Sequence, residues 1–235
     1  MSHIKTIGVL GGMGPEATIL LQQRILAAVD AKDDRDHIPL LVDMNPQVPS
    51  RIDYLLKGTG PNPATVLGQM AKRLEVSGAK ALAMPCNTAH LFANDIEAAV
   101  EIPLLNMIDF VVEAVFRQVG RGGKVGVLAS PATKETGLFS QAFAIHEIET
   151  LYPRNQTALL EAIQAIKSSG ASTATKNILV EAGRDVEQQG AMALLIGCSE
   201  FSMIADGLRD TPDVKVVCID ALDVLVREIV KFSQL

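Results

Sequence analysis

The chain has 235 residues, 48% of them hydrophobic, which is enough to bury a sizeable core as one large domain or two of ordinary size. A formal charge of -6 with no basic run or stripe weighs against nucleic acid or an anionic membrane as a partner. The longest apolar stretches are interrupted within about ten residues, short of the roughly 20 that span a bilayer, and the amino terminus lacks a charged-then-apolar signal, so a cytoplasmic protein is expected.

In chain order, Lys5 to Leu10 reads as a strand and leads into the glycine-rich stretch Gly8-Val-Leu-Gly-Gly-Met-Gly-Pro-Glu-Ala17. That stretch contains a Gly-x-Gly-x-x-Ala match at Gly12 to Ala17, in the right context for a dinucleotide fingerprint. It is equally able to cradle a carboxylate or simply to make a tight turn. A helix follows Pro15, with Ile19, Leu20, Ile25, Leu26 and Val29 expected on its buried face and Gln22, Gln23 and Arg24 opposite. Further strands are predicted at Pro39 to Asp43, Lys80 to Met84, Lys124 to Ala129, Glu147 to Leu151, Ala193 to Ile196 and Val214 to Ile219. Helices are predicted at Pro63 to Val76, Phe110 to Val119, Gln156 to Ile166, Thr173 to Gln189 and Ala221 to Phe232. Such alternation predicts parallel sheets flanked by helices, with right-handed crossovers that collect the strand-to-helix loops along one edge, where ligands bind.

An internal repeat organises these elements. Gly78-Ala-Lys-Ala-Leu-Ala-Met-Pro-Cys86 returns 112 residues later as Gly190-Ala-Met-Ala-Leu-Leu-Ile-Gly-Cys198. Gly8-Val-Leu10 returns as Gly126-Val-Leu128, and Ile108-Asp109 as Ile219-Asp220, each Asp reading as a helix N-cap. The predicted fold is therefore α/β, two similar doubly wound parallel-sheet domains related by a pseudo-twofold repeat, with the active site in a cleft between them. The N-terminal domain takes residues 1–105 with 219–235 and carries Cys86; the C-terminal domain takes 106–218 and carries Cys198. Gly120 to Gly123 marks the joint.

Cys86 and Cys198 are each followed by a polar pair, Asn87-Thr88 and Ser199-Glu200, which is helix-starting chemistry. Each thiol is thus expected at a strand's carboxyl end and a helix's amino end, a setting that lowers a thiol pKa from about 8.5. Two cysteines in matching places can approach one carbon from opposite faces, one removing a proton and the other returning one, as racemisation or epimerisation needs. Cys218 lies in an apolar strand and reads as core packing. With only three cysteines, far apart, and four scattered histidines, neither a disulfide framework nor a metal site is expected.

Gly11-Gly-Met-Gly-Pro15, Pro85-Cys-Asn-Thr-Ala-His90 and Gly197-Cys-Ser-Glu200 together resemble the aspartate racemase branch of the aspartate/glutamate racemase superfamily, whose members work without pyridoxal phosphate. Glutamate racemases carry an Asp-Ser pair where this chain has Gly11-Gly12, and a His where it has Glu200. The resemblance implies Cys86 and Cys198 as a thiol/thiolate pair interconverting L- and D-aspartate, with no metal or organic cofactor. It further implies substrate contacts from Asn87, Thr88 and Ser199, with Arg51 and Lys167 holding the substrate's side-chain carboxylate; Met13, Gly14 and Glu200 are further candidate contacts, and Thr133, in the second-half counterpart of the glycine loop, reads equally as a substrate contact or a helix cap. The motif around Arg51 reads Pro49-Ser-Arg-Ile52 and lacks the flanking Asp and Thr of the family's Pro-Asp-Arg-Thr.

The partner is expected to be a small amino acid, with neither nucleic acid nor membrane involved, and a homodimer is open to it. Rival readings are a racemase of broad or glutamate-type specificity, hydantoin racemase or decarboxylase chemistry, a nucleotide-dependent oxidoreductase using the glycine loop and Asp43, and a non-catalytic amino-acid-binding protein. His90 is read as locally satisfied rather than as a partner of the Cys86 thiol.

Overall fold

The structure is a computed structural model and describes residues 4–234. Two compact units divide it: one runs through Met107 and resumes at Leu222, the other is Ile108–Ala221. The unit boundary at the carboxyl end thus leaves the last strand wholly in the second unit. Among the described residues no helix is long and apolar enough to cross a membrane.

In the first unit β1 (Ile7–Gly11), β2 (Leu40–Met44) and β3 (Ala81–Ala83) form a parallel sheet in the order β2-β1-β3. A parallel bridge from Leu82 to Leu104 extends it beyond β3. The second unit holds β4 (Lys124–Leu128), β5 (Glu149–Leu151), β6 (Ala193–Ile196) and β7 (Val217–Asp220), all parallel, in the order β5-β4-β6-β7. The two orders correspond strand for strand, with Leu104 standing where the second sheet has β7.

The repeated residues explain themselves in packing terms. A Cβ on Gly8 would lie 3.0 Å from side-chain atoms of Leu74 and Leu82, and one on Gly126 would lie 2.4 Å from Val186 and 3.0 Å from Leu194. Leu74 and Val186 belong to the helices Pro63–Val76 and Thr173–Gln188, which therefore press directly onto the central strand of each sheet. Both helices end alike. Gly78 (φ 103°) and Gly190 (φ 99°) take the left-handed turn that ordinary residues resist, and the next amides, Ala79 and Ala191, donate to the carbonyls of Leu74 and Val186. The duplicated Gly-Ala pair thus returns the chain to the sheet, and the cysteine follows one strand later.

Helix starts follow the sequence chemistry. Asn62 accepts from Ala64 N–H ahead of Pro63, Asn155 accepts from Ala158 N–H ahead of Gln156–Ser169, and Ser172 and Thr175 form a capping box. Other expectations need correction. In the Pro15–Ala28 helix the buried side chains are Ala17, Thr18, Leu21 and Ile25, whereas Ile19 and Leu26 are 49% and 58% exposed. Positions 17, 21 and 25 stack along one line of the helix, and Ile19 and Leu26 lie off it. Asp109 does not precede its helix but sits in the first turn of Met107–Val119, while Asp220 ends β7 directly before Ala221–Ser233. The polar pair after Cys86 starts a 3-10 turn, Thr88–Phe92, before a short α-helix, Ala93–Glu97.

Candidate functional site

Parallel strands all point one way, so the carboxyl ends of β1, β2 and β3 deliver three loops to one edge of the first sheet. After β1, Met13 is buried and Gly14 sits at the N-cap of the Pro15–Ala28 helix. Thr18, fully buried, accepts the Gly12 N–H at 3.0 Å and so holds the loop down. Its place one turn inside a helix led by Gly-Pro is the signal that a reading of the glycines alone passes over.

After β2, the Asn45 N–H donates to the Gly11 carbonyl at 3.2 Å, and the chain then enters a helix, Arg51–Lys57, that periodicity did not predict. Its signals are local: Ser50 accepts from Asp53 N–H, Lys57 sits in the last turn, and Gly58 closes it at φ 61°. Arg51 opens this helix, its Nη1 donating to the Pro49 carbonyl at 3.3 Å. Its Nε is buried with no hydrogen-bond partner among the described residues.

After β3 comes Cys86, buried in an apolar cluster that also contains Met13, Val48, Ala89 and Phe92. His90, equally buried, places Nδ1 2.9 Å from the Cys86 carbonyl and accepts the Met107 N–H on Nε2 at 3.2 Å. The second bond requires a lone pair on Nε2, so the imidazole is neutral and Nδ1–H is the donor to Cys86. Burial lowers the His90 pKa from 6.5 to about 4, with the Cys86 carbonyl opposing that shift. The ring therefore fastens the backbone of Cys86. Asn87 is 4% exposed, and its Oδ1 has no partner among the described residues; Thr88 is half-buried. A buried amide oxygen left open costs free energy unless a donor reaches it.

In the second unit the loop after β4 starts a short helix at Pro131–Glu135, capped by Ser130. Thr133 is buried and its hydroxyl donates to the Ser130 carbonyl at 2.8 Å, so it serves the turn. After β6, Gly197 lies under the Phe139 ring, where a Cβ would meet ring carbons at 2.7 Å, and Cys198 then caps the four-residue helix Ser199–Ser202. Cys198, Ser199 and Glu200 are all buried.

The Cys198 thiol donates to Glu200 Oε2 at 3.0 Å, and Glu200 Oε1 lies 3.2 Å from Lys167 Nζ. Lys167 comes from the last turn of Gln156–Ser169, and its side chain is about half exposed. Burial first, and the Glu200 carboxylate second, push the Cys198 thiol well above its ordinary value; the Glu200 amide and the Lys167 ammonium pull the other way. This overturns the expected lowering at Cys198. Four residues of helix carry too little dipole to outweigh burial beside a carboxylate.

Each unit therefore gathers its own candidates at its own carboxyl edge: Met13, Gly14, Arg51, Cys86, Asn87 and Thr88 in the first, and Thr133, Lys167, Cys198, Ser199 and Glu200 in the second. Cys218 stands apart, half-buried in β7 opposite Leu194. The features that favoured a dinucleotide are otherwise engaged. Asp43 is paired with Arg73 at 2.7 Å, and the Gly12 amide is taken by Thr18.

Comparison with known proteins identifies the family. Over 209 residues, 86% of this chain and 88% of the relative, the sequence is 23% identical to the broad specificity amino-acid racemase RacX of Bacillus subtilis. It is 30% identical over 153 residues to a glutamate racemase of Pediococcus pentosaceus, covering 63% of this chain and 57% of that one. The Picrophilus torridus aspartate racemase superposes with a TM-score of 0.84 at 25% identity, over 97% of this chain and 94% of its own. The profile of the Asp/Glu/hydantoin racemase family matches residues 10–229, and the chain belongs to that family.

Proposed function

We propose that the protein is a cofactor-independent amino acid racemase in which Cys86 and Cys198 act on opposite faces of one α-carbon, with aspartate as its substrate. The observation that carries this reading is the equivalent position of the two thiols: each is buried at the carboxyl edge of its own sheet, after corresponding strands of a duplicated fold. A structural cysteine has no reason to recur at both places, whereas a two-base reaction needs one sulfur on each side.

The proton balance is simple. The thiolate of one cysteine takes the α-proton, forming an S–H bond as the C–H bond breaks and leaving its electron pair on the α-carbon. The thiol of the other gives its proton to that carbon from the far face and is left as thiolate. The two sulfurs exchange states, and the enantiomer leaves.

Among the candidate residues, Asn87 Oδ1 and Arg51 Nε are the buried polar atoms without a partner among the described residues. Asn87 Oδ1, buried and unpartnered among the described residues, suits an N–H of the substrate ammonium, with Thr88 and Ser199 supplying hydroxyls nearby in sequence to each thiol. Met13 and Gly14 would border the same loop edge, and Thr133 its counterpart in the second unit. The buried Arg51 Nε offers a charge-assisted donor to a second carboxylate, which favours aspartate.

A second reading, broad specificity, is supported by Lys167, whose ammonium is already engaged by Glu200 and so offers less to a substrate side chain. One panel separates the two: D/L interconversion and solvent-deuterium uptake at the α-carbon, over aspartate, glutamate and neutral amino acids. Aspartate is expected to turn over, with Arg51→Ala weakening aspartate use far more than any neutral substrate. Comparable losses on aspartate and alanine would support broad specificity, and absence of α-proton exchange with every amino acid would remove the racemase reading.

A further inference from the structure

We propose that Glu200 is a positioning residue that holds Cys198 in its thiol form in the resting protein, so that Cys198 is the proton donor and Cys86 the base in the first half of the cycle. The word donor rests on the racemase reading above; the state of the sulfur does not. Three contacts carry the proposal. The Cys198 S–H is directed at Glu200 Oε2 at 3.0 Å, Glu200 Oε1 is 3.2 Å from Lys167 Nζ, and Glu200 is buried with the thiol.

A carboxylate in that position discriminates between the two forms of the sulfur. A thiol donates to it; a thiolate repels it across the same short distance in a site with little water to screen the charge. Burial acts in the same direction, and the charged side chains acting on the sulfur are Glu200 from its own helix and Lys167 from the Gln156–Ser169 helix. The Lys167 ammonium limits how strongly the thiolate is disfavoured. The proton must still leave Cys198 during turnover, and a charge-balanced carboxylate holds it less firmly than an unbalanced one.

Among the described residues no hydrogen bond or ion pair reaches the Cys86 sulfur. His90 bonds the Cys86 backbone carbonyl, and its second nitrogen is committed to Met107. The two halves of the repeat therefore place their polar partners differently, one on the peptide and one on the sulfur. After one turnover Cys198 would be left as thiolate beside Glu200, the less stable arrangement, and it returns to the resting state by taking a proton from the opposite enantiomer or from solvent.

The test reads the sulfur directly. In the 235-residue chain carrying Cys86→Ser and Cys218→Ser, Cys198 is the one cysteine, and its Cβ carbon shift by NMR follows its ionisation as pH is raised. Adding Glu200→Gln should increase the thiolate fraction at a fixed pH by about tenfold or more, the effect of removing one like charge in contact. Adding Lys167→Met should decrease it, and because Lys167 is about half exposed this variant keeps the proposal testable if Glu200→Gln fails to fold. An unchanged titration in either variant, or both variants moving the same way, overturns the proposal. Shifts of the expected sign in a protein that exchanges no amino acid α-proton would support the Glu200 assignment while removing the racemase reading, so the two failures are distinguishable.

Discussion

The His90 staple makes acid stability a direct test of how the Cys86 loop is held. His90 is buried with a pKa lowered to about 4, against 6.5 for the free side chain. Above pH 6.5 the ring is neutral folded or unfolded and contributes nothing to pH dependence. Between 6.5 and 4 the unfolded chain takes up a proton that the folded one refuses, so stability falls as pH falls; below 4 both states are protonated and the loss levels off. At 1.36 kcal/mol per unit the full loss is about 3 kcal/mol, a large share of a typical domain's stability. Denaturant unfolding of the wild type and His90→Gln at neutral pH and near the bottom of that window measures it, other titrating groups cancelling in the difference. His90→Gln should be the less stable at neutral pH, because no single rotamer reproduces both the bond to Cys86 and that to Met107. Its deficit should shrink by between about 2 and 3 kcal/mol on acidification. Parallel stability curves, or an NMR titration showing the folded imidazole ionising near 6.5, would refute the assignment of a neutral, doubly bonded ring.

Three further outcomes are expected. Gly126→Ala drives a methyl group to within 2.4 Å of Val186 and should cost about 1–3 kcal/mol in thermal or denaturant unfolding; Val186→Ala removes that Cγ2 contact but leaves Cβ at 2.8 Å, so the double variant should lose less than the sum of the two single losses, and strict additivity would show the contact is not the cause. Thr18→Val keeps the shape but removes the acceptor for the buried Gly12 N–H, and should destabilise the chain by about 1–3 kcal/mol, a loss that Thr18→Ser largely avoids. Cys218→Ala should leave racemisation unchanged and lower stability by about 1 kcal/mol or less, since the side chain is only half-buried; loss of turnover without loss of folding would contradict its place outside the candidate site.

What was legible in the sequence is what local chemistry specifies. The seven strands among the described residues all fall on predicted runs, most of them rich in Val, Ile, Leu and Ala, and Asn62, Asn155 and Ser172 announce their helices because a cap acts within three residues. The repeat was visible because close packing of a helix on a central strand demands glycine in both halves, at Gly8 and Gly126. The face of the first helix was not. Ile19 and Leu26 are as apolar as Leu21 and Ile25, and only the position of the sheet decides which line of the helix turns inward. The helix opened by Arg51 was missed because seven residues are too few to show a period. The state of Cys198 was misjudged for a different reason: Glu200 is two residues away, but its counter-charge Lys167 arrives from a separate helix, and burial is a property of the folded unit.

A duplicated fold with unlike partners at its two thiols raises a question of thermodynamics, because L- and D-amino acids have equal free energy in solution. No arrangement of Glu200 or His90 can shift that equilibrium, and the two directions of a racemase must share the same kcat/KM. An environment that holds one sulfur as thiol and leaves the other to act as base is nonetheless free to bind the two enantiomers unequally, because each needs the opposite pair of protonation states. On the proposed two-base reading, the enantiomer whose α-proton faces Cys86 would meet the resting protein ready, and its mirror image would meet a thiol where it needs a base. Asymmetry at the sulfurs should thus appear as unequal KM values for the two enantiomers, matched by kcat values unequal by the same factor. Glu200→Gln should bring both pairs closer together as it relaxes the state of Cys198. Steady-state kinetics in both directions, on the wild type and on this variant, measure that convergence, and equal KM values in the wild type would mean that the Cys198 to Glu200 contact does not govern which enantiomer the resting protein receives.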